Sequence, residues 1–163
     1  GEEFCAQSLC VDHLAAALLA AGGRARPLRI AQRPGKPLVI GSIGETPFLG
    51  LPGSTVAALV NFCLYGLPML AARAGANPAW SPGQAAVSRS AIGHPAGRTD
   101  FLPARIVGSH QDGRPVLERL GPGAAALPPL LAADGLMEVG GEGGDVPAGG
   151  GVVFHPFTTR FRL

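Results

Sequence analysis

Apolar residues fall in short runs along this chain, cut by glycine and proline, and the period of the pattern changes near the middle. From Asp12 onward Leu14, Leu18 and Leu19 sit among alanines at helical spacing until Gly22-Gly23. This predicts a helix over 12–21, with Asp12 placed as its N-cap. Arg24 to Gln32 reads as a strand with Leu28 and Ile30 on one face. Arg33-Pro34-Gly35-Lys36-Pro37 is a basic turn, its prolines fixing φ and Gly35 permitting a sharp bend. Leu38 to Gly41 and Phe48 to Leu51 are short apolar runs around a hairpin loop at Ser42 to Thr46. Pro52-Gly53-Ser54-Thr55 then turns into a helix over 54–73, N-capped by Ser54 or Thr55. Pro68 has no N–H for the carbonyl of Leu64, so this helix kinks or restarts there.

Gly75 to Gly83 is a linker by composition, with Trp80 as an anchor. Beyond it the period becomes that of strands: Ala85–Ile92, Thr99–Ser109, a hairpin at Gln111-Asp112-Gly113-Arg114, and Pro115–Leu120. A short helix over Ala124–Ala133 precedes strands at Leu136–Val139 and Val152–Phe157. Strands at this spacing predict a small β-barrel.

Composition narrows the classes. Of 163 residues, 47% are hydrophobic and 15% charged, a folded chain rather than a disordered one. A formal net charge of +2, without a basic run, is too small to imply a nucleic-acid partner, and none is expected. Cys5, Cys10 and Cys63 follow no metal spacing, and their odd number favours a reducing, cytoplasmic setting. The apolar stretch Val56–Ala72 is interrupted by Asn61, Gly66 and Pro68, so it reads as a buried helix rather than a membrane span. His13, His94, His110 and His155 are dispersed and read as surface or capping groups. Ser54 lies in no nucleophile elbow, and Cys63 reads as inert core.

One stretch has chemistry in it. A strand, a small-residue turn and a helix start together aim free N–H groups and the helix dipole at one spot, a common anion site. Pro52, Gly53 and Ser54 form that turn, and Arg33 and Lys36 are the cations placed to face it; the same pattern also serves as a plain connection.

RPGKPLVIG followed by GETPFLGLPGSTVAALVNF resembles the molybdopterin molybdenumtransferase family (the MoeA and gephyrin E-domain type). That family reads K-P-G-K-P, a strand pair, then L-P-G-N-P-V-S-A and a helix. Arg33 replaces the first Lys here, and Ser54-Thr55 replaces Asn-Pro. Gly97-Arg98-Thr99-Asp100-Phe101, Ala132-Ala133-Asp134-Gly135-Leu136, and Val146 to Gly149 followed by Val152-Val153 match the family's closing barrel. The resemblance spans about residues 10 to 157. Family members also carry a glycine loop, G-G-x-S-V-G-x-x-D. Its Asp aligns with Asp12, while Phe4 to Leu9 stand where its glycines belong.

The resemblance implies an incomplete three-layer α/β domain, the C-terminal half of a molybdopterin-binding-like domain (1–74), then the linker (75–83) and a β-barrel domain (84–163). It implies a role in molybdenum cofactor biosynthesis, with molybdopterin and molybdate as substrates and Mg²⁺ as helper. Asp12 is the implied metal ligand and, with Lys36, the implied catalytic pair. Arg33, Lys36, Pro52, Gly53, Ser54 and Arg98 are the implied binding residues. The family's first half of the α/β domain lies upstream of the matched region, which predicts a truncated or fragmentary product. Such a product would form a homodimer or join another chain, and would be either an enzyme by descent or a non-catalytic binding or scaffold module.

Overall fold

The structure, a computed structural model, describes residues 13–76, 83–121, 126–140 and 144–157. The chain divides into two compact units, Gly1–Trp80 and Ser81–Leu163.

In the first unit, helix α1 (13–20) stops as its glycines dictate. Gly22 takes φ 76°, and the N–H groups of Gly22 and Gly23 donate to the carbonyls of Leu19 and Leu18. This closes the helix with a left-handed cap. Strands β1 (Arg24–Arg29), β3 (Pro37–Ile43) and β4 (Thr46–Gly50) form an antiparallel sheet in the order β1-β3-β4. The two-residue strand β2 (Gln32–Arg33) lies between β1 and β3 in the chain. The predicted hairpin loop at Ser42–Thr46 shrinks to two residues, Gly44-Glu45, because Ile43 pairs with Thr46. Gly44, at φ 54°, supplies the positive φ that so tight a hairpin needs.

The alternation of the sheet puts Gly41 and Gly50 on one face and Leu49 on the other. Gly41 and Gly50 lie under Leu18 and Leu14 of α1, which pack on that face. On the opposite face Leu49 meets Gly66 of the second helical segment. All three strands are antiparallel. Both edge strands contain a proline, Pro27 in β1 and Pro47 in β4, and β1 has three arginines. Each proline removes one backbone donor, and the arginines resist apposition, so these edges are blunted against further pairing.

The long helix runs Thr55–Arg73 in three pieces: α2 (Thr55–Asn61), a π-helical turn (Phe62–Gly66) and α3 (Leu67–Arg73). The break predicted at Pro68 is thus a widened turn just before it: the helix stays continuous, and the π turn Phe62–Gly66 accommodates a proline that has no N–H for the turn before it. Val56, Val60 and Leu64 form the buried stripe at i, i+4, i+8. Cys63 sits half-buried in the π turn, and burial pushes its thiol pKa up, which keeps it protonated and unreactive. By length and composition this 19-residue helix could cross a bilayer. Asn61 at its centre is fully buried and hydrogen-bonded to the protein's own backbone, as in a core helix.

The second unit is a closed five-stranded barrel of β5 (Gln84–Ser88), β6 (Thr99–Ser109), β7 (Pro115–Arg119), β8 (Gly135–Val139) and β9 (Gly151–Pro156). Around the ring the pairs are β6–β7, β7–β5, β5–β9, β9–β8 and β8–β6. Only β5–β7 is parallel. Strand β6 makes closure possible. Its first half, Asp100–Ala104, pairs with β8, its second half pairs with β7, and Ala104 belongs to both ladders. Ala86, Leu102, Leu117, Met137, Val139 and Phe154 fill the interior. Strand β5 ends at Ser88 rather than the predicted Ile92, which instead bridges Val146. The short helix α4 (Leu127–Leu131) opens on Pro128 and Pro129 and buries Leu130.

The matched motif Ala133-Asp134-Gly135-Leu136 has a structural role in this barrel. The Asp134 carboxylate accepts the Ile106 N–H at 2.8 Å, beside the bulge between Ile106 and Gly108. Gly135 is a close approach: a Cβ there would collide with the His155 carbonyl and the Phe154 ring.

Candidate functional site

The basic turn Arg33–Pro37 is held from beneath by a buried amide cluster. Gln32, 5% exposed, donates from Nε2 to the Asn61 Oδ1 at 2.6 Å and to the Pro34 carbonyl at 3.0 Å. Its Oε1 accepts the Tyr65 hydroxyl at 2.6 Å. Asn61, fully buried, donates from Nδ2 to the carbonyls of Gly35 at 3.1 Å and Pro37 at 3.4 Å. Every amide hydrogen of both side chains therefore has an acceptor, a fully satisfied network of the kind that fixes one conformation.

The backbone completes the clamp. The Ile30 N–H donates to the Lys36 carbonyl at 2.8 Å, and the Gln32 N–H to the Ile30 carbonyl. The Arg33–Pro34 peptide is cis. Gly35 takes φ 95° and is buried against Asn61, where any Cβ would collide with the Asn61 amide. Pro34 and Gly35 are buried while Arg33 and Lys36 are exposed. The result is a rigid turn that presents two cations to solvent, with its anchor on the second turn of α2. Asn61 reads in the sequence only as an interruption of an apolar run. A lone amide on the buried stripe of such a helix, paired with a Gln just before a Pro-Gly turn, is the signal that marks the cluster.

Of the other implied site residues, Pro52 is buried and Gly53 is exposed, with nothing within 4 Å of where its Cβ would be. Ser54 occupies the N-cap position with extended backbone (φ −76°, ψ 124°), and its carbonyl accepts the Ala58 N–H. Neither hydroxyl of the predicted cap is used in this way: the helix start has no side-chain cap bond. Asp12 lies outside the described residues. Among the described residues no group of three or more His, Cys, Asp or Glu side chains is placed to hold a metal ion.

Arg98, in the barrel unit, is neither merely solvated nor free. Its Nε and Nη2 donate to the two Asp100 oxygens at 2.9 and 3.3 Å, a fork-to-fork ion pair. His94 corrects the surface reading. It is 4% exposed, its Nε2 lies 2.9 Å from the Arg98 carbonyl, its backbone N–H donates to Asp145 at 2.7 Å, and its Nδ1 lies 3.6 Å from Asp100. These contacts pin the turn before β6, so the matched residues Arg98 and Asp100 form part of the barrel's own bracing. Elsewhere on the barrel, bonding to Arg105 holds the Glu118 carboxyl below the usual range.

Residues 85–157 match the family model described as the MoeA C-terminal region (domain IV). The barrel unit belongs to the MoeA C-terminal domain family. The chain is 31% identical over 122 residues to "Molybdopterin molybdenumtransferase 2" of Mycobacterium tuberculosis, covering 75% of this chain and 29% of that protein. It is 29% identical over 144 residues to the molybdopterin molybdenumtransferase of Haemophilus influenzae, covering 86% and 35%. Among solved structures, the molybdopterin biosynthesis MoeA protein of Pyrococcus horikoshii superimposes with a TM-score of 0.66 at 28% identity, over 87% of this chain and 34% of that one. The chain thus spans about a third of the length of the curated relatives it matches, and it corresponds to the C-terminal part of a MoeA protein.

Proposed function

We propose that this MoeA-family chain acts in molybdenum cofactor biosynthesis, as the C-terminal part of a molybdopterin molybdenumtransferase that binds the phosphate end of molybdopterin. The carrying observation is the rigid Arg33–Pro37 turn, whose two exposed cations are held by the buried Gln32–Asn61–Tyr65 cluster. A preorganised pair of cations binds an oxyanion without the cost of ordering it first. Arg33 grips a phosphate bidentately and Lys36 acts as a point charge. Pro52, Gly53 and Ser54 lead into the helix start that adds backbone N–H donors. In this reading Asp12 is the carboxylate for Mg²⁺ and, with Lys36, belongs to the reacting centre. Arg98 contributes only if it exchanges Asp100 for ligand. Residues 1–74 are the C-terminal half of an α/β domain, 75–83 a linker and 84–163 an independent barrel. A second copy of the chain or another chain is the partner that completes the site, and the setting is cytoplasmic.

A second reading, a non-catalytic binding module, is favoured by one specific feature. Phe4 to Leu9 stand where the family has its glycine loop, and such side chains resist the positive φ that a backbone anion nest needs.

Two measurements check this. Molybdopterin, or pyrophosphate as a simpler anion, binds the chain in the presence of Mg²⁺, and Arg33→Ala/Lys36→Ala weakens binding by about tenfold or more, as expected for lost charge-assisted hydrogen bonds. Binding unchanged in that variant removes both residues from the site. For the domain reading, a polypeptide of residues 84–163 shows a cooperative thermal transition, because the barrel closes its own edges. Its failure to fold, with 1–83 folding instead, reverses the assignment.

A further inference from the structure

The described part of the first unit holds six basic side chains, at 24, 26, 29, 33, 36 and 73, against one acid, Glu45. In the barrel, Arg89, Arg98, Arg105 and Arg114 each lie 2.6–2.9 Å from a carboxylate. Among the described residues Arg24 and Arg73 have no such partner. They line one cleft of about 420 Å³ at the hairpin end of the sheet, together with Ser42, Glu45, Pro47 and Met69. Both guanidinium groups are oriented by the protein. Arg24 Nη2 donates to Ser42 Oγ at 3.4 Å, and Arg73 Nη1 to the Glu45 carbonyl at 3.4 Å. These long bonds leave the remaining N–H groups of each fork for a ligand.

The cleft is distinct from the Arg33–Pro37 turn. Arg24 pairs with Ser42 at one end of the β1–β3 ladder and Arg29 with Pro37 at the other. Five residue steps of strand separate these ends by about 17 Å. None of the turn's residues lines the cleft.

We propose that this cleft binds a small hydroxylated phosphomonoester of sugar-phosphate size. Two guanidinium forks suit the phosphate, since Arg binds it bidentately. Pro47 and Met69 give an apolar wall for the carbon skeleton. The Glu45 carboxylate repels the phosphate and accepts a hydroxyl, which orients the ligand with its phosphate toward the arginines. The proposal is independent of the molybdopterin reading, because it uses a different end of the sheet.

The test is a titration of the isotope-labelled full chain with ribose 5-phosphate, followed by amide shifts. Shifts are expected at residues 42–47 and 69–73. Arg24→Ala and Arg73→Ala each weaken binding by about tenfold, and Arg73→Lys also weakens it because the bidentate geometry is lost. Arg33→Ala/Lys36→Ala leaves it unchanged, and ribose without phosphate causes no shifts. Equal affinity in Arg24→Ala/Arg73→Ala, shifts confined to residues 33–37, or inorganic phosphate binding as tightly as the ester would each overturn the proposal. A loss of molybdopterin binding in the Arg33/Lys36 variant, with this titration unchanged, separates the two sites.

Discussion

Asn61→Leu is expected to destabilise the first unit by about 3–5 kcal/mol, since each buried polar group left without its partner costs about 1–3 kcal/mol. The substitution strands three groups at once: the Gln32 Nε2 loses its 2.6 Å acceptor, and the carbonyls of Gly35 and Pro37 lose their donor. A small folded unit has only about 5–15 kcal/mol in total, so this loss is a large fraction. Urea unfolding monitored by the Tyr65 environment reads the effect directly. The local consequence matters as much. Without Asn61 the carbonyl groups of the turn are free to seek water, and Arg33 and Lys36 lose their fixed placement, so anion binding at the turn falls together with stability. A Gln32→Leu/Asn61→Leu double variant is expected to be less damaging than the sum of the singles, because the two side chains satisfy each other. A destabilisation under about 1 kcal/mol, or additive singles, would show that the cluster is not the brace described here, since directly bonded buried groups couple.

The second large effect is an absence: the 163-residue chain alone is expected to insert no molybdenum above background. Holding a substrate between two walls demands accurate positioning, and an error of about 1 Å costs roughly a hundredfold in rate. In the proposed reading this chain supplies the turn at 33–37 and the helix start after Pro52, while Phe4 to Leu9 stand where the resemblance places a glycine loop and Ser54-Thr55 where it places Asn-Pro. Each missing backbone donor to an oxyanion is worth about 3–4 kcal/mol in the transition state. Arg98, the residue available from the barrel, is already bonded to Asp100 through two nitrogens. The measurement is reconstitution: adenylylated molybdopterin, molybdate and Mg²⁺ with the chain, read out by activation of a molybdenum-free apoenzyme. Activation well above a no-protein control would sink the expectation and imply that a second copy of the chain completes the site.

The elements were legible in the sequence wherever their cause is local. Leu14 and Leu18 with Gly22-Gly23 set α1, and the apolar residues Phe101, Ile106 and Val107 with Asp112-Gly113 after them set β6 and its hairpin. Turn residues and apolar period act within a few positions, so they are visible one stretch at a time. The family motif likewise pointed to the turn at 33–37 and to the barrel. Tertiary structure alone decided what those residues touch. Asn61 reaches Gln32 across 29 positions, and the backbone of His94 reaches Asp145 across 51, so neither partner is near in the chain. For that reason an amide that looks like a flaw in an apolar helix is the brace of the basic turn. By the same cause a histidine that looks like a surface group is buried; the Arg98–Asp100 pair, two residues apart, is by contrast a local contact made possible by the extended backbone entering β6. The strand spacing predicted the barrel, but the pairings that close it were beyond local pattern. Closure depends on β6 serving two ladders through Ala104 and on β5 lying parallel to β7, pairings chosen by the packing of Leu117, Met137 and Phe154 into one core.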